Sequence, residues 1–259
     1  MSIDVHSLMS SINMKKLLLT TTVSALALMA SAPSFADLAG TATITNSYIW
    51  RGLTQSINES AIQGGLKYTG ESGAYVGTWA SNVSYDADDA YSYEQDMYFG
   101  YSGAAEGFTY DLGYLYYNYD ENAGFDFGEV YGTIGIGNLS MSAFFLTNAE
   151  PDEAPGQDFS AFETIYLSGN YSIPLESGAT IGLHMGFHEG DFAEAFNGVT
   201  EGYLDYNVSI AKDGFMFMVT STDLDGDDDG DGFEDYANMP ARDNDEMKFV
   251  VSYGLNFEL

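Results

Sequence analysis

The sequence has no cysteine and little positive charge. Without Cys there is no disulfide framework, no thiol nucleophile, no thiolate metal site and no acceptor for a lipoprotein anchor. Lys and Arg number 7 against 39 Asp and Glu, a formal charge of −32. After residue 36 the basic residues are Arg51, Lys67, Lys212, Arg242 and Lys248. These are too few to neutralise a run of phosphates, which excludes nucleic acid as a partner. Beyond residue 36 no apolar run reaches the ~20 residues of a transmembrane helix.

Aromatic residues make up 15% of the chain, with 20 Tyr and 17 Phe, beside 29 Gly. Disordered chains are poor in aromatics, so the acidity belongs to wet loops rather than to an unfolded chain. Residues 14–36 have the form of a cleavable signal peptide. Lys15 and Lys16 form a basic start, Leu17 to Ala30 are mostly apolar, and Ser34-Phe35-Ala36 puts small residues at −3 and −1. The expectation is Sec export with cleavage after Ala36. Residues 1–36 are then an extension plus signal peptide, and 37–259 the mature domain. Translation from Met1 or from Met14 fits equally.

Along 37–259, apolar and polar or small residues alternate. The last segment is the clearest: Met247, Phe249, Val251, Tyr253, Leu255, Phe257 and Leu259 share one face. Turn residues divide the chain into strands near 39–51, 61–69, 74–86, 93–102, 108–119, 127–136, 139–148, 162–173, 179–188, 201–211, 215–222 and 246–259. Every second connection is short, and most of the others are longer and polar. A soluble sandwich has no reason for that alternation, whereas a membrane barrel has short turns at one rim and long loops at the other. The pattern predicts an all-β fold: a single closed, antiparallel, up-and-down transmembrane β-barrel of about 12 strands, with both termini at the short-turn rim. Tyr48, Trp50, Tyr68, Tyr75 and Tyr101, near strand ends, are the expected aromatic girdles.

Strand parity points Arg51, Lys67, Glu94, Asp96, Asp111, Glu129, Asp205, Lys248 and Glu258 inward, because a charge against hydrocarbon costs a few kcal/mol at the membrane midplane. Glu163 fits that parity poorly. If these residues line water, their acidic excess predicts a preference for cations. A filled, salt-bridged lumen explains the same residues. His184 and His188 share one strand face, but no carboxylate or serine stands at triad spacing, so no catalysis is expected. The glycines of 132–137 precede no helical pattern and read as strand and turn residues rather than a dinucleotide loop.

The tract from Asp223 to Asp235 is rich in hard oxygen ligands. Asp225, Asp227 and Asp229 with Gly230 fit the first positions of a calcium loop, as do Asp227, Asp229 and Asp231 with Gly232. Neither register supplies the closing bidentate Glu. A weak calcium site using Asp225, Asp227, Asp229, Asp231 and Asp235 and a solvated acidic loop both remain open. No other cofactor is expected.

The segments ATITNSYIWRGLTQS (42–56) and AIQGGLKYTGESGAYVGTWASNV (61–83) resemble the proteobacterial TorF-type porins, a family of outer-membrane proteins of unknown function. The match lies in Tyr48 to Gly52, Gln63-Gly64-Gly65, and Gly73 through Val83. The resemblance implies a Gram-negative outer-membrane barrel and a pore, without substrate or site residues. Ser252, Gly254, Phe257 and Leu259 resemble the terminal signal read by the barrel-assembly machinery, except that the last residue is not aromatic. The expected partners are outer-membrane lipid, lipopolysaccharide, that machinery and a small solute. The expected function is passive diffusion of small cationic or neutral solutes. The alternative is a non-conducting surface barrel whose acidic outer loops bind calcium or a partner.

Overall fold

A computed structural model describes residues 37–85, 90–199, 202–224 and 242–259. Twelve strands close an antiparallel barrel. They are β1 (Asp37–Thr45), β4 (Ala61–Thr69), β5 (Ala74–Asn82), β6 (Tyr93–Ala105), β7 (Phe108–Tyr119), β8 (Phe127–Ile136), β9 (Leu139–Ala149), β10 (Ile165–Pro174), β11 (Thr180–Glu189), β12 (Tyr203–Lys212), β13 (Phe215–Thr222) and β14 (Lys248–Glu258). Each pairs with its sequence neighbour, and β1 closes the ring against β14. Two further strands, β2 (Ile49–Trp50) and β3 (Leu53–Thr54), pair apart from the wall, and one helix, α1 (Asp191–Asn197), follows β11.

The short-turn rim is built by glycines at positive φ: Gly73, Gly107, Gly137, Gly178 and Gly214. These φ values are open to glycine and costly for other residues, and they let the chain reverse within a few residues. Alternation then sorts the side chains. Ile62 is 72% exposed, Phe249 68% and Leu112 61%, and they belong to an apolar exterior that runs around the wall. A continuous apolar surface of this kind is costly in water and is at home in hydrocarbon.

Tyrosines border the exterior. At the long-loop rim, Tyr114 donates to Asn148 Oδ1 (2.9 Å), Tyr116 to Asp126 Oδ2 (3.1 Å) and Tyr206 to the Thr222 carbonyl (3.2 Å). Each ring faces lipid while its hydroxyl reaches a polar group, as interfacial tyrosines do. Tyr68 and Tyr101 face outward near the other rim. Tyr48, Trp50 and Tyr75 do not join a girdle. All three are buried inside the barrel, at 4%, 4% and 5% exposure.

Two boundaries differ from the sequence reading by more than fraying. The first strand ends at Thr45, not 51, and the fifth element ends at Asn82, not 86. At the first of these the chain leaves the wall to enter the lumen.

Candidate functional site

The connection from β1 to β4 turns inward. Asn46 pairs once more with β14, accepting from Val251 N (2.7 Å) and donating to the Phe249 carbonyl (3.1 Å). From Ser47 to Ser56 the chain is then buried without a break. Arg51 and Gly52 turn it back with φ of 48° and 83°. Two consecutive positive φ values match the two-residue hairpin turn whose twist suits antiparallel strands. Arginine rarely adopts such a φ, so its side-chain contacts must hold it there.

Burying a loop requires partners for its polar groups. Here Gln55 N donates to the Tyr48 carbonyl (2.7 Å), Tyr48 N to Ser56 Oγ (3.0 Å) and Thr54 N to Asn244 Oδ1 (2.9 Å). The apolar side chains span the lumen. Ile49 packs with Met216, Met218 and Val250 on one wall. Tyr48 meets Trp79 edge-on at 5.4 Å, and Trp50 meets Tyr117, His188 and Phe196 at 5.6–5.9 Å. Leu53 packs with Val199, Tyr203 and Leu224. Helix α1 closes this layer from above, laying Phe192 and Phe196 on Phe127 at 4.9 and 5.2 Å.

Arg51 is the polar centre of the layer. Its guanidinium donates to Glu129 Oε2 (2.6 Å) and to His188 Nε2 (2.9 Å), and stacks over Trp50 at 4.2 Å and Tyr166 at 4.4 Å. Tyr117 also donates to Glu129 (3.1 Å). Charge, donors and aromatic faces are all matched, the condition under which a buried ion pair is tolerated.

The remaining inward charges form separate groups. His184 Nε2 lies 2.8 Å from Asp205 Oδ1, while Tyr166 donates to Asp205 Oδ2 (3.0 Å). Glu94 accepts from Tyr48 (3.0 Å) and Tyr119 (3.1 Å), and its neighbour on the same face, Asp96, has a buried Oδ1 with no hydrogen-bond partner. Asp111 accepts from Tyr75, which also contacts Tyr131, and the Lys67 ammonium sits 3.9 Å above the Tyr75 ring. Lys248 donates to the carbonyls of Arg242 (2.7 Å) and Asp243. Glu163 lies exposed in the loop before β10, and Glu258 is exposed at the short-turn rim.

Towards the short-turn rim the lumen changes character. Thr41, Gly65, Lys67, Ser142, Ser168 and Asn170 face inward and are only half-buried. The tyrosines of this half lie opposite glycines. Tyr98 is paired with Gly77, Tyr75 with Gly100 and Tyr131 with Gly113, and each ring occupies the place of the missing Cβ. A ring held over a glycine runs along the wall instead of across the lumen.

Among the described residues no group of three or more His, Asp or Glu is arranged to hold a metal ion. His184 and His188 are not brought together, each having its own partners. Asp225, Asp227, Asp229, Asp231 and Asp235 lie outside the described residues. The inward hairpin and α1 were absent from the sequence reading. Gly52 marks a turn after Arg51, but no local signal shows that the turn lies inside the lumen.

The model of a bacterial family described only as proteins of unknown function (Gcw_chp) matches residues 29–253. It carries no further name, and the TorF-type likeness stands as a resemblance of residues 42–56 and 61–83. No curated protein matches the chain. Among solved structures, the chain is similar to a KdgM porin, with 9% identity, 86% of this chain and 99% of that chain covered, and a TM-score of 0.48. It is similar to the outer membrane protein OpdK from Pseudomonas aeruginosa, with 13% identity, 77% and 58% covered, and a TM-score of 0.36. It is also similar to OprD from Pseudomonas aeruginosa, with 12% identity, 86% and 66% covered, and a TM-score of 0.38.

Proposed function

The chain belongs to the bacterial Gcw_chp family of unknown function, and we propose that it is an outer-membrane channel for small solutes, held shut by its own hairpin. One observation carries this reading. The outer half of the lumen is completed by a loop, Ser47 to Ser56, wedged among the inward side chains of the wall. A barrel that serves only as an anchor can fill itself from its strands. A barrel filled by a segment joined to the wall at its two ends has a part that can move.

The charge balance supports a preference for cations. Arg51 is matched by Glu129 and His184 by Asp205, while Glu94 meets only hydroxyl donors and Asp96 Oδ1 has no partner. A lumen with this acidic surplus attracts cations and repels anions.

The test is planar-bilayer recording of the purified mature barrel, beside a variant in which Ser47–Ser56 is replaced by a short Gly-Ser linker. Thr45 and Ala61 are paired across the wall, so a short linker closes the gap. The expected result is brief openings in the native barrel, a several-fold larger and sustained conductance in the variant, and a reversal potential on the cation side in a salt gradient. A folded variant without conductance steps defeats the channel reading. It would favour a closed surface barrel that acts through its acidic loops.

A further inference from the structure

Glu94 and Asp96 stand on one face of β6, and both are almost sealed from water, at 1% and 7% exposure. Residues two apart on one face of a strand are neighbours, so the two carboxyl groups share one buried space. Two bare carboxylates cannot satisfy each other there, because neither has a hydrogen to give. Nor can two like charges so placed both stay ionised in a buried site. The remaining donors are hydroxyls: Tyr48 from the hairpin and Tyr119 from β7, both directed at Glu94. Asp96 Oδ1 has no donor at all.

Among the described residues no ion pair reaches either carboxyl. The hairpin presents Tyr48 and, further off, Arg51, which is engaged by Glu129 of β8. Strand β7 presents Tyr117 and Tyr119, and the end of β5 leads to Tyr85, whose ring lies 5.3 Å from the Arg242 guanidinium.

We infer that Glu94 and Asp96 form a proton-binding site, sharing one proton while the hairpin is seated, and that loss of this proton releases the hairpin. Deprotonation breaks the bond between the two carboxyls. The proton passes to water, and two like charges remain beneath Tyr48, the hairpin's hydrogen-bonded contact with β6. The charges are relieved by admitting water and cations, and the space to be hydrated is the one the hairpin fills. The channel therefore opens as pH rises. This rests on the channel reading for its consequence, but not for the existence of the site.

Two measurements on the full mature barrel separate these parts. Infrared spectroscopy at neutral pH is expected to show the carbonyl stretch of a protonated carboxylic acid, lost in Asp96→Asn and in Glu94→Gln and kept in Tyr48→Phe. In bilayers, open probability is expected to rise with pH by up to about tenfold per unit, the limit for one linked proton. Asp96→Asn removes that dependence, and Tyr48→Phe weakens it. A native spectrum without the band, or a band that survives both substitutions, overturns the site. Unchanged pH dependence in Asp96→Asn overturns the coupling, as does gating set by the identity of the cation and not by pH. A band without any conductance leaves the site supported and defeats the channel reading alone.

Discussion

The two halves of the lumen obey different rules. In the inner half the wall supplies the packing by itself: small, half-buried polar residues face inward beside buried tyrosines that lie over glycines of the next strand. In the outer half the wall is only a socket, and a hairpin with a short helix above it completes the packing. The inner half tolerates change at its half-buried polar residues, which have water as an alternative partner. The outer half does not, because a buried polar group that loses its partner keeps the full cost of desolvation.

The largest difference is expected from removing one cation in each half. Arg51→Ala leaves Glu129 buried without its ion pair, and such a loss costs about 3–5 kcal/mol. The measurement is thermal unfolding in detergent, followed by gel mobility, with bilayer recording of the more frequent openings. Lys67→Ala, in the inner half, removes a half-buried ammonium from the face of Tyr75. A contact of that kind at a wet site is worth about 0.5–1 kcal/mol. Equal losses in the two variants would show that the halves are not distinct.

A smaller contrast uses two glycines with nearly the same φ. Gly52 and Gly107 have φ of 83° and 87°. A Cβ on Gly107 meets nothing within 4 Å, whereas a Cβ on Gly52 falls 2.5 Å from the Asp205 Cβ and 2.8 Å from the Thr222 Cγ2. Gly107→Ala is expected to carry only the conformational penalty, about 1 kcal/mol. Gly52→Ala adds a collision with β12 and β13 and should unseat the hairpin at a total near 2–4 kcal/mol. Higher open probability in the second variant only, with both barrels folded, is the expected pattern.

The same contrast explains what could be read from the amino acids. The strands were legible because their period is two and the turn glycines mark one rim. The inward hairpin was not. Tyr48 and Trp50 continue the alternation of β1, and nothing local says that the chain leaves the wall. What places Arg51 is Glu129, 78 residues away, and His188, 137 residues away. Helix α1 has seven residues, too few for a periodic signal, although Gly198 with φ of 68° ends it as a helix-terminating glycine should. The pairing of Tyr98 with Gly77, or Tyr131 with Gly113, requires the register and so is invisible in a single strand.

The weakest expected effect lies at the long-loop rim, where the outer half meets water. Asp120 accepts hydrogen bonds from Ser92 N (2.6 Å), Ser92 Oγ (2.8 Å) and Tyr93 N (3.1 Å), stapling the start of β6 to the end of β7. Partial desolvation pushes this carboxyl up, but the bonds from Ser92 and Tyr93 outweigh it and hold it below the usual carboxylate range. A depressed folded value means that the staple is fully present above the unfolded value and is lost as pH falls through the folded one. Amide exchange of Ser92 and Tyr93, corrected for the intrinsic rate, should therefore show constant protection at neutral pH and declining protection in acid. Asp120→Ala should set protection at the acid level throughout, while the Trp50 packing and the Arg51 ion pair stay intact. Protection that is unchanged in Asp120→Ala would mean that the rim is held from within by the hairpin. The two halves would then be coupled through the aromatic layer rather than through this surface carboxylate.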